Sequence, residues 1–506
     1  MDKGGSFLSR RHSIFYSALM LTGVNLLLRF VGTSFQVYLS GRIGAAGIGL
    51  LQLTMSVGSL AMVAGMGGIR TATMYLTAGE IGRGRGQNVT WVLSGCYLYS
   101  ILFSGTVAAA LYHFAPWIAA HWVGDLRTIP SLRLFAAFLP VVCLCGVMTG
   151  YFTAAQRIGT LAAVEVAEQA VSMAITMALL IVWAGNDAGR ACMSVILGSA
   201  MGSILTLLCL LLLRLAEQPV CGPRIPIRHS LCSTALPLAL ADNLRTGITT
   251  VENLMVPKRL ALCIGVSEPL AAFGLVSGMV FPVIMFPAAI LFGLNELLIP
   301  ELARCHAGNQ HNRIHYLVRR SLRIALVYGL LFCGLLYLLA EPLCLRLYGN
   351  TEAAQSLALY GLLVPMLYCD AVTDAMTKGL GQQKICVRYN IITNILDVSF
   401  LYVLLPKYGM TGYFLSFFVT HLVNFLLSLR RLLNITGEHI PFHIPALAVS
   451  ACVASIYAAS FVPAPPLRVM AYMAVLGSSL FLCGIARRED IRWIKGLICK
   501  KDLAIG

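Results

Sequence analysis

The sequence predicts an all-α polytopic membrane protein: about 14 transmembrane helices, forming two six-helix lobes related by a parallel repeat, plus two C-terminal helices. Three observations lead there. Of the 506 residues, 58% are hydrophobic and only 11% charged, about half the charged share of soluble domains. Apolar runs of the roughly 20 residues a spanning helix needs follow one another almost end to end. Two short motifs also recur, in order, at nearly one spacing.

The elements follow in chain order. Residues 1–12 form a basic cytoplasmic N-terminus. Ser9-Arg10-Arg11 faintly resembles a twin-arginine export signal. The run behind it is too long for a signal core and has no small-residue cleavage site, so 13–38 is read as a retained first span. The next five spans are 47–78, 89–113, 131–155, 160–184 and 190–213, and together these six make an N-lobe over 13–214. A cytoplasmic linker, 215–230, leads to a C-lobe over 231–434 with spans 231–252, 271–299, 316–340, 355–377, 386–406 and 412–429. Two further spans, 442–462 and 467–486, precede a basic cytoplasmic tail, 487–506. The second and eighth spans are too long for a straight crossing and are rich in Gly or Pro, so bends are expected there.

Charge sets the orientation. With the N-terminus inside, inner segments hold 25 of the 37 Lys and Arg and outer segments hold 9. That bias places both termini in the cytoplasm of a multi-pass protein of the plasma (inner) membrane. The net charge of +16 is thereby assigned to membrane topology, with no nucleic-acid partner. Sixteen cysteines lie singly in apolar runs with no CxxC pair. They read as small packing residues, without metal or redox chemistry.

Gly150-Tyr-Phe-Thr-Ala-Ala-Gln156 and Thr377-Lys-Gly-Leu-Gly-Gln-Gln383 each end one span and begin another. Aligning Gln156 with Gln383 puts them 227 residues apart. Ala46-Gly-Ile-Gly49 and Ala271-Ala-Phe-Gly274 are a second echo, 225 residues apart. Together they repeat spans one to six as spans seven to twelve. Six is even, so the halves share an orientation, and substrate sites of such transporters lie between halves near the midplane.

These segments, with Phe30-Val-Gly-Thr-Ser-Phe35 and Tyr408-Gly-Met-Thr-Gly-Tyr413, resemble the multidrug/oligosaccharidyl-lipid/polysaccharide flippase superfamily. Within it the chain looks like the polysaccharide-export and stage V sporulation protein B group, related to lipid II flippases. The resemblance covers roughly residues 13–430. It implies translocation of a lipid-linked anionic glycan or peptidoglycan precursor across the membrane, in a protein that is a transporter and not an enzyme; a cation-coupled multidrug antiporter of the same fold and a non-transporting envelope-synthesis scaffold are the alternatives.

Three arginines, Arg29, Arg70 and Arg245, are the only basic residues assigned to neither membrane face. A charge within a span costs about 2.5–3.5 kcal/mol on insertion scales, so it normally faces a wet cavity and marks a substrate path. Arginine keeps its charge and offers a donor fork that suits phosphate. These three are the candidate substrate-binding residues. The competing role is an ion pair, with Asp242 the nearest candidate for Arg245.

Asp370 and Asp374 lie one turn apart, as do Glu165 and Glu168. Such pairs cannot comfortably both ionise in a low dielectric. Salt bridges to the arginines are the plainer reading, and coupling to H+ or Na+ is the other. No cofactor is expected. There is no Walker A motif and so no intrinsic ATP drive. Glu296 and Glu252 read as solvated span ends. Embedded amides such as Gln36, Asn243, Asn253 and Asn295 read as interhelical hydrogen-bond glue. Membrane lipids are the remaining partners, and the chain is expected to be a monomer.

Overall fold

A computed structural model describes residues 4–83, 85–185, 187–216, 228–438, 441 and 443–485. The tail from 487 and the side chain of Glu296 lie outside them. Among the described residues every regular element is helical. In order they are α1 (Gly4–Met66), α2 (Ile69–Gly82), α3 (Val89–Ile118), α4 (Ile129–Ala154), α5 (Ile158–Leu179), α6 (Ala188–Ala216), α7 (Arg228–Leu260), α8 (Pro269–Gly274), α9 (Phe281–Ala307), α10 (His311–Tyr348), α11 (Thr351–Gly361), α12 (Val364–Gly379), α13 (Gln383–Thr436), α14 (His443–Ser460) and α15 (Pro465–Leu482).

Ten described helices are long and apolar enough to span a membrane, or eleven if the bent pair α11–α12 counts as one. Two of these are double. α1 is broken at Gly44 and α13 at Gly409, where the backbone leaves helical geometry. Splitting both gives thirteen, and the more polar α7 is a further long helix outside that set. The expected bend in the second span is real: Gly67 and Gly68 both take positive φ, at 50° and 71°, and part α1 from α2.

The chain forms two compact units. The first runs to Gly278 and takes in Leu401–Gly409. The second holds Met279–Phe400 and the chain from Met410 on. In the first unit, α3 and α4 pack around Cys96, Val147, Met148 and Phe152, with Ile69 of α2 and Ala235 of α7 in the same core. In the second, the α14–α15 hairpin is seated on α10 through Leu330, Cys333, Cys452, Tyr472 and Leu476. Tyr472 donates to the Leu330 carbonyl at 2.7 Å, which satisfies its buried hydroxyl.

The repeat appears in the turns, and it corrects the spacing. At the end of α4 the backbone N–H groups of Ala155, Gln156 and Arg157 donate to the carbonyls of Tyr151, Thr153 and Phe152. At the end of α12 those of Leu380, Gly381 and Gln382 donate to Met376, Lys378 and Thr377. Every atom pair is displaced by 225. The left-handed residue is Gln156 in one turn (φ 57°) and Gly381 in the other (φ 78°). Gln156 thus matches Gly381, not Gln383, and the 227 spacing is replaced by the 225 of the second motif.

Two further turns obey the same interval. Gly124 and Gly349 end helices at φ 83° and 63°. Each is followed by a residue whose side chain caps the next helix start: Asp125 accepts from Arg127 N–H at 2.9 Å, and Asn350 from Glu352 N–H at 2.7 Å, as N-caps do. Gly185 (φ 55°, ψ −128°) and Gly409 (φ 56°, ψ −134°) share an unusual conformation 224 residues apart.

Candidate functional site

All three embedded arginines belong to the first unit, and all three side chains are exposed. Arg70 is the second residue of α2, immediately after the Gly67–Gly68 break. The break lets α2 start directly against α7. A side chain on Gly68 would meet the Ala235 carbonyl and come within 3.1 Å of the Ala239 nitrogen. Helix α7, which carries Arg245, is also laced to α1. Thr250 donates to the Ser56 carbonyl at 3.2 Å, and Asn253 to the Ser56 hydroxyl at 3.0 Å. Arg70 and Arg245 therefore stand on adjoining elements. Arg29, on α1, has an interaction of its own.

The ion-pair alternative fits these arginines unequally. Arg70 lies within electrostatic reach of Glu165, without a direct salt bridge among the described residues. Asp242 makes no salt bridge to Arg245 there. The motif glycine Gly150 holds α4 against the Arg70 backbone: a side chain at 150 would come within 2.5 Å of the Arg70 carbonyl oxygen.

The acidic pairs are each split by separate partners. Glu168 accepts from Thr206 at 2.7 Å and Ser203 at 3.3 Å, both on α6. Asp374 pairs with Lys378 at 2.6 Å on its own helix. Asp370 accepts both of its bonds from Asn424 of α13, at 3.1 and 3.3 Å. Of the amides expected to act as glue, Gln36 donates to the Gly278 carbonyl at 3.4 Å, Asn295 to that of Ala371 at 3.2 Å and Asn253 to the Ser56 hydroxyl, whereas Asn243 donates to the Ala239 carbonyl of its own helix at 2.8 Å.

Two further sites lie in the second unit: one centres on Asp397, an embedded acid in the sequence whose partners were not foreseen, and the other was not foreseen at all. Asp397 is 8% exposed and accepts from Ser416 at 2.6 Å and Thr420 at 3.1 Å. It bridges the two halves of α13, and His421 stands nearby against the Phe417 ring. The available signal was an Asp, Ser, Thr and Asn run (Asp397, Ser416, Thr420, Asn424) at helical spacing in otherwise apolar spans. The second is an apolar groove of about 820 Å³ between α10, α12, α13 and α14, with Arg319 and Arg323 among its lining residues.

Beside the groove, Glu438 ties the α13–α14 connection to α10. Its carboxylate, 4% exposed, accepts from Arg319 at 2.6 Å and His315 at 2.8 Å. Burial alone would raise its pKa, but the bonds and charges of Arg319 and His315 hold it below the usual carboxylate range. A depressed folded pKa contributes stability above the unfolded value, lost as pH falls through the folded one. Glu438→Gln should therefore lower stability by about 2 kcal/mol at pH 7, as expected for a bond to a charged group. Thermal melts in detergent should show the variant and parent converging as pH falls below the usual carboxylate range. A constant gap between them would contradict this.

Residues 251–403 match the MatE family model. Stage V sporulation protein B of Bacillus subtilis (strain 168) is 21% identical over 407 residues, which cover 78% of each chain. The lipid II flippase MurJ in an inward closed conformation superposes with a TM-score of 0.71 at 13% identity, over 93% of this chain and all of that one. An inward-facing multidrug resistance transporter of the MATE family, in the MOP superfamily, gives 0.65 at 13% identity over 84% of this chain and all of that one. The superfamily resemblance drawn from the turns is borne out. So is its all-helical membrane fold.

Proposed function

We propose that this transporter is a flippase. In this reading it moves a polyprenyl-(pyro)phosphate-linked oligosaccharide or peptidoglycan precursor across the plasma membrane by alternating access. The observation that carries the reading is the grouping of Arg29, Arg70 and Arg245 on one unit with exposed side chains. An exposed guanidinium inside a span needs either water or an anion, and a pyrophosphate satisfies several at once. Binding the anion offsets repulsion among the arginines, so loading favours closure. Both termini face the cytoplasm, and the chain works as a monomer. The polyprenyl tail stays on the lipid side.

The half-buried carboxylates Glu165, Glu168, Asp370 and Asp374 suit a coupling ion, H+ or Na+. Asp370 is bonded by a neutral amide, a setting that accommodates a proton or a small cation. A cation-coupled multidrug antiporter of the same fold is the second reading, favoured by these acids alone. Depletion of the protein followed by lipid extraction separates the two. A flippase leaves an identifiable polyprenyl-linked precursor accumulating on the inner leaflet. An unchanged lipid-linked pool with increased sensitivity to cationic drugs would overturn the flippase reading.

A further inference from the structure

The groove of the second unit is amphipathic in a specific way. Its walls are almost wholly apolar, with Leu330, Cys369, Leu422 and Val453 representative of four different helices. Its charge is confined to one end, where Arg319 and Arg323 lie one helical turn apart on α10. At about 820 Å³ it falls within the usual range of ligand sites, about 300–1,000 Å³. Two guanidiniums at the end of a long apolar slot complement one class of molecule: a lipid with an anionic phosphate headgroup and an extended hydrocarbon chain.

Arg319 is already engaged. Its fork holds Glu438 at 2.6 Å, and Glu438 also lines an adjacent recess of about 450 Å³ with Arg430. The carboxylate occupies the same donor that a phosphate would use. It sits on the connection into α14, which forms one wall of the groove. Loss of the Glu438 bond therefore frees both the arginine and the wall segment next to it.

We propose that Arg319 and Arg323 seat the phosphate of an anionic lipid whose chain fills this groove, and that Glu438 is the built-in competitor that holds Arg319 when the seat is empty. The lipid groove, its headgroup seat and the internal competitor rest on this unit alone and do not depend on the flippase reading. Arg320, on the same helix, is turned toward Tyr316 and does not line the groove.

The test uses the full chain in phosphatidylcholine nanodiscs with two photoactivatable lipids, a phosphatidic acid and a phosphatidylcholine carrying the same acyl-chain diazirine. Adducts are mapped by peptide mass spectrometry. Phosphatidic acid should label groove residues of α10, α12, α13 and α14 in preference to phosphatidylcholine. The paired variant Arg319→Gln/Arg323→Gln should lose that labelling about thirtyfold, since each basic residue near an anionic surface contributes on the order of 1 kcal/mol. Glu438→Gln should raise it several-fold. A merely structural Glu438 would instead lower it. Excess glycerol phosphate should compete poorly, because it lacks the chain; full competition would show a headgroup site without a lipid groove. Equal labelling by both lipids, or labelling unchanged in the paired variant, would overturn the proposal. Flipping activity does not enter the readout, so a failed flippase reading leaves this test intact.

Discussion

Replacing Gly274 by leucine should remove folded protein from the membrane. The two copies of one repeated motif, at Gly49 and Gly274, pack directly on each other. A Cβ built at Gly274 would collide with the Ala45 carbonyl and lie 2.6 Å from the Gly49 nitrogen. One at Gly49 would meet the Leu270 carbonyl. The obstructing atoms are backbone on both sides, so no rotamer change relieves the clash. The α1 and α8 backbones would have to part, along with the bonds from Gln36 and Ser40 to the Gly278 carbonyl. Overpacking typically costs about 1–3 kcal/mol where side chains can yield. With rigid backbone the cost should exceed that range, a large part of the roughly 5–15 kcal/mol total of a typical fold. Gly274→Ala should already lower the melting temperature measurably. Gly105→Ala, where nothing lies within 4 Å of the new atom, should leave it unchanged. Fluorescence-detected size exclusion of the three variants reads this directly. A monodisperse, normally abundant Gly274→Leu protein would refute the close crossing.

The sequence made the spans legible because lipid imposes a coarse rule, about 20 apolar residues per crossing. That rule resolves even α1 and α13, whose continuous helices hide a break at Gly44 and Gly409. The repeat was legible only as letters. Matching Gln156 to Gln383 followed residue identity, whereas the turn is defined by the left-handed residue, Gln156 or Gly381, and its three hydrogen bonds. Glutamine tolerates that conformation poorly enough to conceal the match. The groove was not legible, because its lining is spread over more than a hundred residues on four helices, each with an ordinary apolar face. Glu438 was missed for the opposite reason. It follows a helix end and reads as a solvated loop acid, and only the fold turns Arg319 and His315 onto it. Asp397 was visible as an embedded acid, but its partners Ser416 and Thr420 sit across a helix break that sequence spacing does not span.

Removing the charge of Arg70 and Arg245 together should abolish flipping while membrane levels and melting temperature stay near normal. Both side chains are exposed, so truncation opens no cavity and breaks no salt bridge among the described residues. On the proposed reading, what is lost is contact with the anion. A charge-assisted bond is worth about 1.5–3 kcal/mol, or about one to two factors of ten in rate if it forms in the rate-limiting state. Arg245→Gln alone should therefore cost about tenfold or more, and the double variant at least a hundredfold. Lysine should restore part of the activity, since it keeps the charge and loses the fork. Arg70 carries a second explanation, because its field reaches Glu165. If its role is to balance that carboxylate, Glu165→Gln should rescue Arg70→Gln by removing the charge left uncompensated. If its role is to bind phosphate, Glu165→Gln should leave the Arg70→Gln defect as it is. Rescue would reduce the anion site to Arg29 and Arg245, and full activity of the Arg70/Arg245 double variant in a reconstituted flipping assay would remove it altogether.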